Sequence, residues 1–377
     1  MFHLVTGLTA LYVIWSYVRL LSWPRRPKSL LSLVVLLVAE HHLITRTFFG
    51  TMASPELPFI VIALLGCAFG ALIILACMLL VRDIVGVLWY LGSRFRSQAW
   101  VASPTLLYGM GVVALTLAAV GVWNAVRVPA VKTVELHVPK LAQEFDGFTV
   151  VQLTDLHASR LLQRPWMQAV VDKTNALNPD LTVLTGDMID GSPAARANDV
   201  PPLGDLQATY GVYAIPGNHE YYVDYVDWLP VFDELGLRLL FNEHVVIEKN
   251  NQRLILAGIT DATAASFGQL VPDVQAALQG VDKADPVLLL SHRPTEAKTS
   301  AAAGADIQLS GHTHGGQMLG LHWLVKRAND GYVSGLYQVD DMQLYVSNGA
   351  GLWNGFPLRL GRPSEITQFI LRASPAH

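Results

Sequence analysis

The chain has 377 residues, of which 52% are hydrophobic and 15% charged, with a formal net charge of -4. That length allows two or three folding units, the apolar excess lies on the greasy side of soluble globular chains, and the absence of a basic block excludes a nucleic-acid partner. Both cysteines, Cys67 and Cys77, fall in one apolar stretch, so the remainder holds neither a disulfide framework nor a thiolate zinc site.

The excess is local to residues 1–126. A bilayer core takes roughly 20 apolar helical residues to cross, and Leu4 to Leu21, Leu57 to Val81 and Pro104 to Val126 meet that length. A further stretch, Ser29 to Phe49, is interrupted by Glu40, His41, His42 and Arg46. It is read as a span, with a re-entrant or interfacial segment as the alternative. The expectation is therefore an all-α transmembrane anchor of about four helices over 1–126. The first run is not a cleavable signal, because no basic region precedes it and no small-residue cleavage site comes before Trp23-Pro24-Arg25-Arg26. Glu40, His41 and His42 are read as an interfacial polar cluster, since the repeats and broken helix pairs of a transporter are missing. Arg25, Arg26 and Lys28 lie in the first short loop and Arg82, Arg94 and Arg96 in the third. Basic short loops stay cytoplasmic, so the C-terminal domain is expected on the extracytoplasmic face.

Residues 127–147 read as a linker and first strand region, followed by a domain over 148–373. Alternating short β-rich and helical runs predict an α/β (α+β) domain. Strands are expected at Phe148 to Leu153, Leu181 to Thr185, Val212 to Ile215, Val245 to Lys249, Leu254 to Ala257, Val287 to Leu290, Ile307 to Leu309, Gln343 to Val346 and Ile366 to Leu371. Helices are expected at Pro165 to Leu177 and near Tyr225 to Leu235, Val271 to Leu278 and Pro294 to Ala303.

Five short motifs sit just past predicted strands: Asp155-Leu156-His157, Gly186-Asp187, Gly217-Asn218-His219-Glu220, His292, and Gly311-His312-Thr313-His314. Loops at strand ends converge over a rigid sheet, so these carboxylates and imidazoles are expected to gather at one point. Their number suffices for two adjacent divalent ions, the equipment for phosphate ester hydrolysis. Oxygen and nitrogen ligands without thiolate suit Mn, Fe, Zn or Co and leave the metal's identity open. Gly186, Gly217 and Gly311 each precede a ligand candidate, where the chain must turn sharply or pass close to an ion. Lone histidines such as His137, His244 and His322 read as surface or packing residues.

The ordered set resembles the calcineurin-like metallophosphoesterase superfamily, whose signature runs Asp-X-His, Gly-Asp, Gly-Asn-His-(Asp/Glu), His, Gly-His-X-His. The match covers roughly Phe148 to Leu371, and Gly-His-Thr-His-Gly-Gly-Gln ending at Gln317, with the N-terminal membrane region, is similar to the membrane-attached bacterial branch. The resemblance implies a sandwich of two β-sheets flanked by helices. It implies Asp155, His157 and His314 on one metal, Asn218, His292 and His312 on the other, and Asp187 between them. Glu220 stands where aspartate is frequent. His219, beside a ligand, is read as the group that protonates the leaving oxygen or stabilises the transition state, with Asp190 as its orienting partner or a plain turn residue.

Arg160 and Arg293 are candidates for substrate phosphate, each with a surface ion pair as the alternative. Leu352-Trp353-Asn354-Gly355-Phe356-Pro357 either floors a lipid-facing pocket or packs the domain edge. The expectation is a membrane-anchored, two-metal phosphodiesterase or pyrophosphatase acting on a lipid or lipid-linked phosphoester, of open oligomeric state. Two alternatives remain: a cytosol-facing pyrophosphatase of the UDP-2,3-diacylglucosamine type, and a non-catalytic membrane sensor on a phosphoesterase fold.

Overall fold

The computed structural model describes residues 1–52, 54–93 and 99–373. They divide into a helical unit, Met1–Asn124 with Asn354–Leu360, and a second unit, Ala125–Trp353 with the residues from Gly361 onward. Arg94 and Arg96 of the predicted basic loop lie outside the described residues.

The helical unit contains α1 (Phe2–Ser16), α2 (Arg25–Ala39), α3 (His41–Phe49), α4 (Phe59–Gly92) and most of α5 (Pro104–Val126). Among the described residues only α4 and α5 are individually long and apolar enough to cross a bilayer; α2 and α3 pass that test only as one span bent by 56°. Against the expected anchor of about four spans, two of the described helices are long and apolar enough to cross, or three spans if the bent pair counts as one. The Leu4 to Leu21 stretch fails because α1 stops after 15 residues, about 22 Å at 1.5 Å per residue, short of a ~30 Å core. Its last turn is occupied by a polar network. Tyr12 and Ser16 donate to Asp83 Oδ2 at 2.7 and 2.8 Å, and Arg82 donates through Nε and Nη2 to Asp83 Oδ1 at 2.8 and 2.6 Å.

Glu40, His41 and His42 turn into this unit while Arg46 stays exposed. Thr6 donates to Glu40 at 3.1 Å, and His42 Nε2 lies 2.5 Å from the Gly355 carbonyl. The Gly355 contact belongs to a wider seat for Asn354–Leu360. Phe356 meets Phe69 edge-on at 5.6 Å. A Cβ on Gly66 would stand 2.5 Å from Pro357, and one on Gly70 2.8 Å from Leu358. Gly66 and Gly70 are one turn apart on α4, a small-residue face of the kind that admits close approach. Here it admits a segment of the same chain.

Among the described residues the second unit has twelve strands. They are β1 (Ala130–Val138), β2 (Thr149–Leu153), β3 (Leu181–Thr185), β4 (Val212–Ile215), β5 (Arg238–Leu239), β6 (Glu243–Lys249), β7 (Gln252–Gly258), β8 (Val287–Leu290), β9 (Ile307–Ser310), β10 (Gly335–Val339), β11 (Met342–Val346) and β12 (Glu365–Ala373). One sheet has the order β1-β12-β2-β3-β4-β5, the other β10-β11-β9-β8-β7-β6. In the first, β2, β3, β4 and β5 run parallel; in the second, β7, β8, β9 and β11 do. Period-two alternation explains the layering. Leu254, Leu256, Leu288 and Leu290 join Val150, Leu181, Val183, Ile215 and Phe369 in one core, while Ile255, Ala257, Val287 and Leu289 between them face a second core. Among the described residues seven α-helices accompany the sheets: α6 (Arg164–Asn175), α7 (Pro193–Arg196), α8 (Asn218–Tyr222), α9 (Tyr225–Glu234), α10 (Val274–Ala277), α11 (Ala297–Ala303) and α12 (Leu321–Ala328). This is the calcineurin-like two-sheet α/β fold, preceded by a helical region with two apolar candidate spans.

Candidate metal centre

Each motif occupies the loop that leaves a parallel strand: Asp155 and His157 after β2, Asp187 after β3, Asn218 after β4, His292 after β8, and His312 and His314 after β9. Interstrand amides lock these loops to one another. The Asp155 amide donates to the Gly186 carbonyl, His157 to Asp187 and Gly311 to His292, at 3.0, 3.0 and 2.9 Å. Asp155, His157, Asp187, His312 and His314 all hold positive φ, between 46° and 70°. Such backbone is costly away from glycine and persists only where surrounding bonds impose it. Gly186 answers a different demand, close approach: a Cβ there would stand 2.6 Å from the Gly217 backbone and 2.7 Å from His292 Nδ1.

Three groups bring possible ligand atoms within 4.8 Å of one another: Asp155, His157 and His314; Asp187, His292 and His312; and His157, Asp187 and His219. His314 Nε2 is 3.6 Å and His157 Nε2 3.9 Å from Asp155 Oδ1. Asp187 Oδ2 stands 3.8 Å from His157 Nε2 and 3.3 Å from His292 Nε2. Asn218 Oδ1 approaches the same His292 nitrogen at 3.1 Å. Asp155, His157, Asp187, Asn218, His292 and His314 are buried, whereas His312 is partly exposed and the His219 side chain keeps 13% exposure. The centre therefore opens on the side of His219 and His312.

The histidines are oriented from behind. His292 Nδ1 faces the Thr185 carbonyl at 2.8 Å, which leaves Nε2 for the centre. Asp190 spans two of them, 3.2 Å from His157 Nδ1 and 2.5 Å from His219 Nδ1. Metal-binding imidazoles characteristically have their second nitrogen tied in this manner. His157 Nε2 itself is buried and makes no hydrogen bond. A buried nitrogen left unpaired beside two carboxylates is costly unless a cation completes it, so the residues fit a metal.

The electrostatics point the same way. Burial disfavours charge on His292 and His219, yet the surrounding carboxylates outweigh it. Asp187, Asp155 and Asp261 push His292 up to about 10, and Asp190 and Asp187 push His219 up to about 9. His312 goes the other way, down to about 3, through burial and the charges of His292 and Arg293. The pocket favours cations at some positions and keeps neutral nitrogen at another.

Of the two arginine candidates, Arg293 reaches the centre. Its Nη1 is 3.2 Å from His312 Nε2, while Nε and Nη2 donate to Asp261 at 2.7 Å and Thr263 at 3.0 Å. Arg160 is partly exposed in the turn before α6, where its carbonyl accepts from Gln163.

Two structural roles were not read from the sequence. Glu220, fully buried, accepts from the amides of Asp187, Met188 and Gly217 at 2.9, 2.6 and 2.7 Å, and so joins the β3 and β4 loops. Its position was visible, but its bonds are nonlocal. Ala350 and Gly351 donate to the carbonyls of Thr154 and Asp155 at 2.9 Å, backing the first motif from behind β11. The Gly-Ala-Gly after a strand was the available signal.

The comparisons agree with this architecture. A calcineurin-like phosphoesterase family model matches residues 148–316. A Danio rerio transmembrane protein with metallophosphoesterase domain is 35% identical over 317 residues, 80% of this chain and 72% of that protein. An uncharacterized metallophosphoesterase of Campylobacter jejuni is 31% identical over 288 residues, 76% of this chain and 75% of that protein. The Bos taurus transmembrane protein with metallophosphoesterase domain is 36% identical over 296 residues, and the chain spans 66% of its length.

The chain belongs to the calcineurin-like metallophosphoesterases, a class of metal-dependent phosphoester hydrolases that bind two divalent metals. Among the described residues two helices are long and apolar enough to cross a membrane, in keeping with the transmembrane naming of the Danio rerio and Bos taurus relatives.

Proposed function

We propose that this chain is a membrane-anchored phosphohydrolase, a phosphodiesterase or pyrophosphatase, that uses two divalent ions against a lipid or lipid-linked phosphoester. Asp155, His157 and His314 would hold one ion, and Asn218, His292 and His312 the other. Asp187 would serve both, and its position between the imidazoles of His157 and His292 is the observation that carries the reading. When bound, the ions supply Lewis acidity to the phosphoryl group and to water. His219, whose side chain keeps 13% exposure and is oriented by Asp190, protonates the leaving oxygen. Arg293, already fixed by Asp261 and Thr263, turns its remaining nitrogen toward the phosphate side of the centre.

The lipid reading is supported by the neighbourhood of His219. The Tyr222 ring lies 5.3 Å from the His219 ring and 6.2 Å from Phe267, and both aromatics are exposed. An apolar wall at the leaving-group side suits an apolar leaving group. With the bent α2–α3 pair counted as a span, cytoplasmic Arg25, Arg26 and Lys28 support an extracytoplasmic domain, whereas two spans alone would return it to the cytoplasmic side; Arg82 supports the outward placement less than its sequence position suggests, because it is spent on Asp83. A reporter active only outside the cytoplasm, fused after His377, should be active, and cytoplasmic-only activity would favour the cytosol-facing enzyme.

Asp187→Ala tests the core of the proposal. It should empty both sites and lower phosphodiester turnover by more than about 10³-fold, beyond the worth of one electrostatic contact. Unchanged metal content with full turnover would reject the two-ion assignment.

A further inference from the structure

Helix α12 is built inside out for a soluble domain. None of its residues is buried. Its outward stripe carries Trp323 and Leu324, 65% and 67% exposed, continued by Leu319 at 62%. A water-facing stripe would be polar; this one is apolar and ends on two cations, Lys326 and Arg327. The opposite side sits on the metal loop, where a Cβ on Gly316 would come within 2.5 Å of His322 Cβ. The helix is thus fixed one turn away from His314.

The chain itself names what could cover that stripe. α5 ends at Val126 and β1 begins at Ala130. The four residue steps between them reach about 14 Å at most, so a bilayer crossed by α5 lies near the start of the domain. Tryptophan beside leucine favours the headgroup boundary, and lysine and arginine favour anionic headgroups. Leu319 also overlies Gly361, which is bonded directly to Leu360, the last residue grouped with the membrane helices.

We propose that α12 is an interfacial helix: Leu319, Trp323 and Leu324 enter the headgroup region of the bilayer that the chain spans, and Lys326 and Arg327 engage anionic lipid. The metal loop is then held at the membrane surface, where phosphoester groups of lipids lie. This last consequence rests on the lipid-phosphoester reading above, whereas the placement of the helix does not.

The test uses the full chain with Cys67→Ala and Cys77→Ala, reconstituted in nanodiscs of phosphatidylcholine and phosphatidylglycerol. An environment-sensitive fluorophore is attached at Leu324→Cys, with Ala284→Cys, on the exposed turn before β8, as reference. The label at 324 should be quenched by lipids carrying a nitroxide near the headgroup and shielded from aqueous iodide, and the label at 284 should show the reverse. Equal iodide quenching at both positions would overturn the proposal. So would shielding without nitroxide quenching, the mark of a second protein copy on this face. Trp323→Ser with Leu324→Ser should then lower turnover of a phosphodiester carried on a lipid by on the order of tenfold, leaving a small soluble aryl diester unaffected. Nitroxide quenching without that loss would keep the helix in the interface and reject the lipid substrate alone.

Discussion

Both units bury charge, and they treat it in opposite ways. In the helical unit Arg82 donates to Asp83, Ser16 and the Val101 carbonyl, and the second oxygen of Asp83 accepts from Tyr12 and Ser16. The set is closed and neutral. In the sandwich unit Asp155, Asp187, Asp190 and Glu220 are buried beside His157, His292 and His314, and His157 Nε2 has no hydrogen-bond partner. That set is open, with an excess of lone pairs aimed at one point. Burial alone does not distinguish a functional charge from a structural one; whether its partners exhaust it does.

Turnover of a small soluble diester ranks the ways to break this contrast. The largest effect below loss of metal belongs to His219→Ala, which should retain both ions and lose about 10² to 10⁴ in rate. The deficit should shrink for esters with good leaving groups, which need little protonation; an equal deficit for good and poor leaving groups would assign His219 another role.

Glu220→Ala acts one step removed. It strips the acceptor from the amides of Asp187, Met188 and Gly217, so the two central loops loosen and metal affinity should fall roughly 10- to 100-fold, recoverable at high metal concentration. A rate defect that saturating metal does not repair would show that Glu220 acts on the chemistry itself. Arg82→Met is the counter-case in the closed set. It should lower the thermal stability of the full chain in detergent while metal content and soluble turnover stay as before. Metal loss on that substitution would contradict the separation between closed and open sets.

Legibility in the sequence followed the same division. The strands carrying motifs were readable because a buried apolar run ending in Gly-Asp or Gly-Asn-His announces both the strand and its use. β1 was harder: Lys132, Thr133, Glu135 and His137 interrupt its apolar pattern, and its parallel partner β12 comes from the far end of the chain. α12 was missed because its eight residues are shorter than the window over which helical periodicity becomes distinct. Hydropathy registers neither the end of α1 at Ser16 nor the turn of Tyr12 and Ser16 to Asp83. The partners of Glu220 and the seat of residues 354–360 are contacts between distant segments, to which local pattern is blind.

The smallest effect on turnover, none, comes with the sharpest sign change in stability. Gly66 in α4 and Gly109 in α5 are both helix-interior glycines, and replacing such a glycine by alanine ordinarily stabilises by roughly 0.5–1 kcal/mol through lost unfolded-chain freedom. A methyl carbon added at Gly109 would meet nothing within 4 Å, whereas at Gly66 the new carbon would stand 2.5 Å from Pro357 Cγ. Gly109→Ala should therefore raise the melting temperature of the full chain in detergent, and Gly66→Ala should lower it, with Pro357→Gly partly restoring the loss. The same packing bears on truncation: a chain begun at Val128 keeps every metal-ligand candidate yet leaves Phe356, Pro357 and Leu358 without the helices they pack on, and should aggregate unless those residues are made polar. If Gly66→Ala and Gly109→Ala both stabilise, residues 354–360 do not rest on α4, and the catalytic unit should then fold alone without such changes.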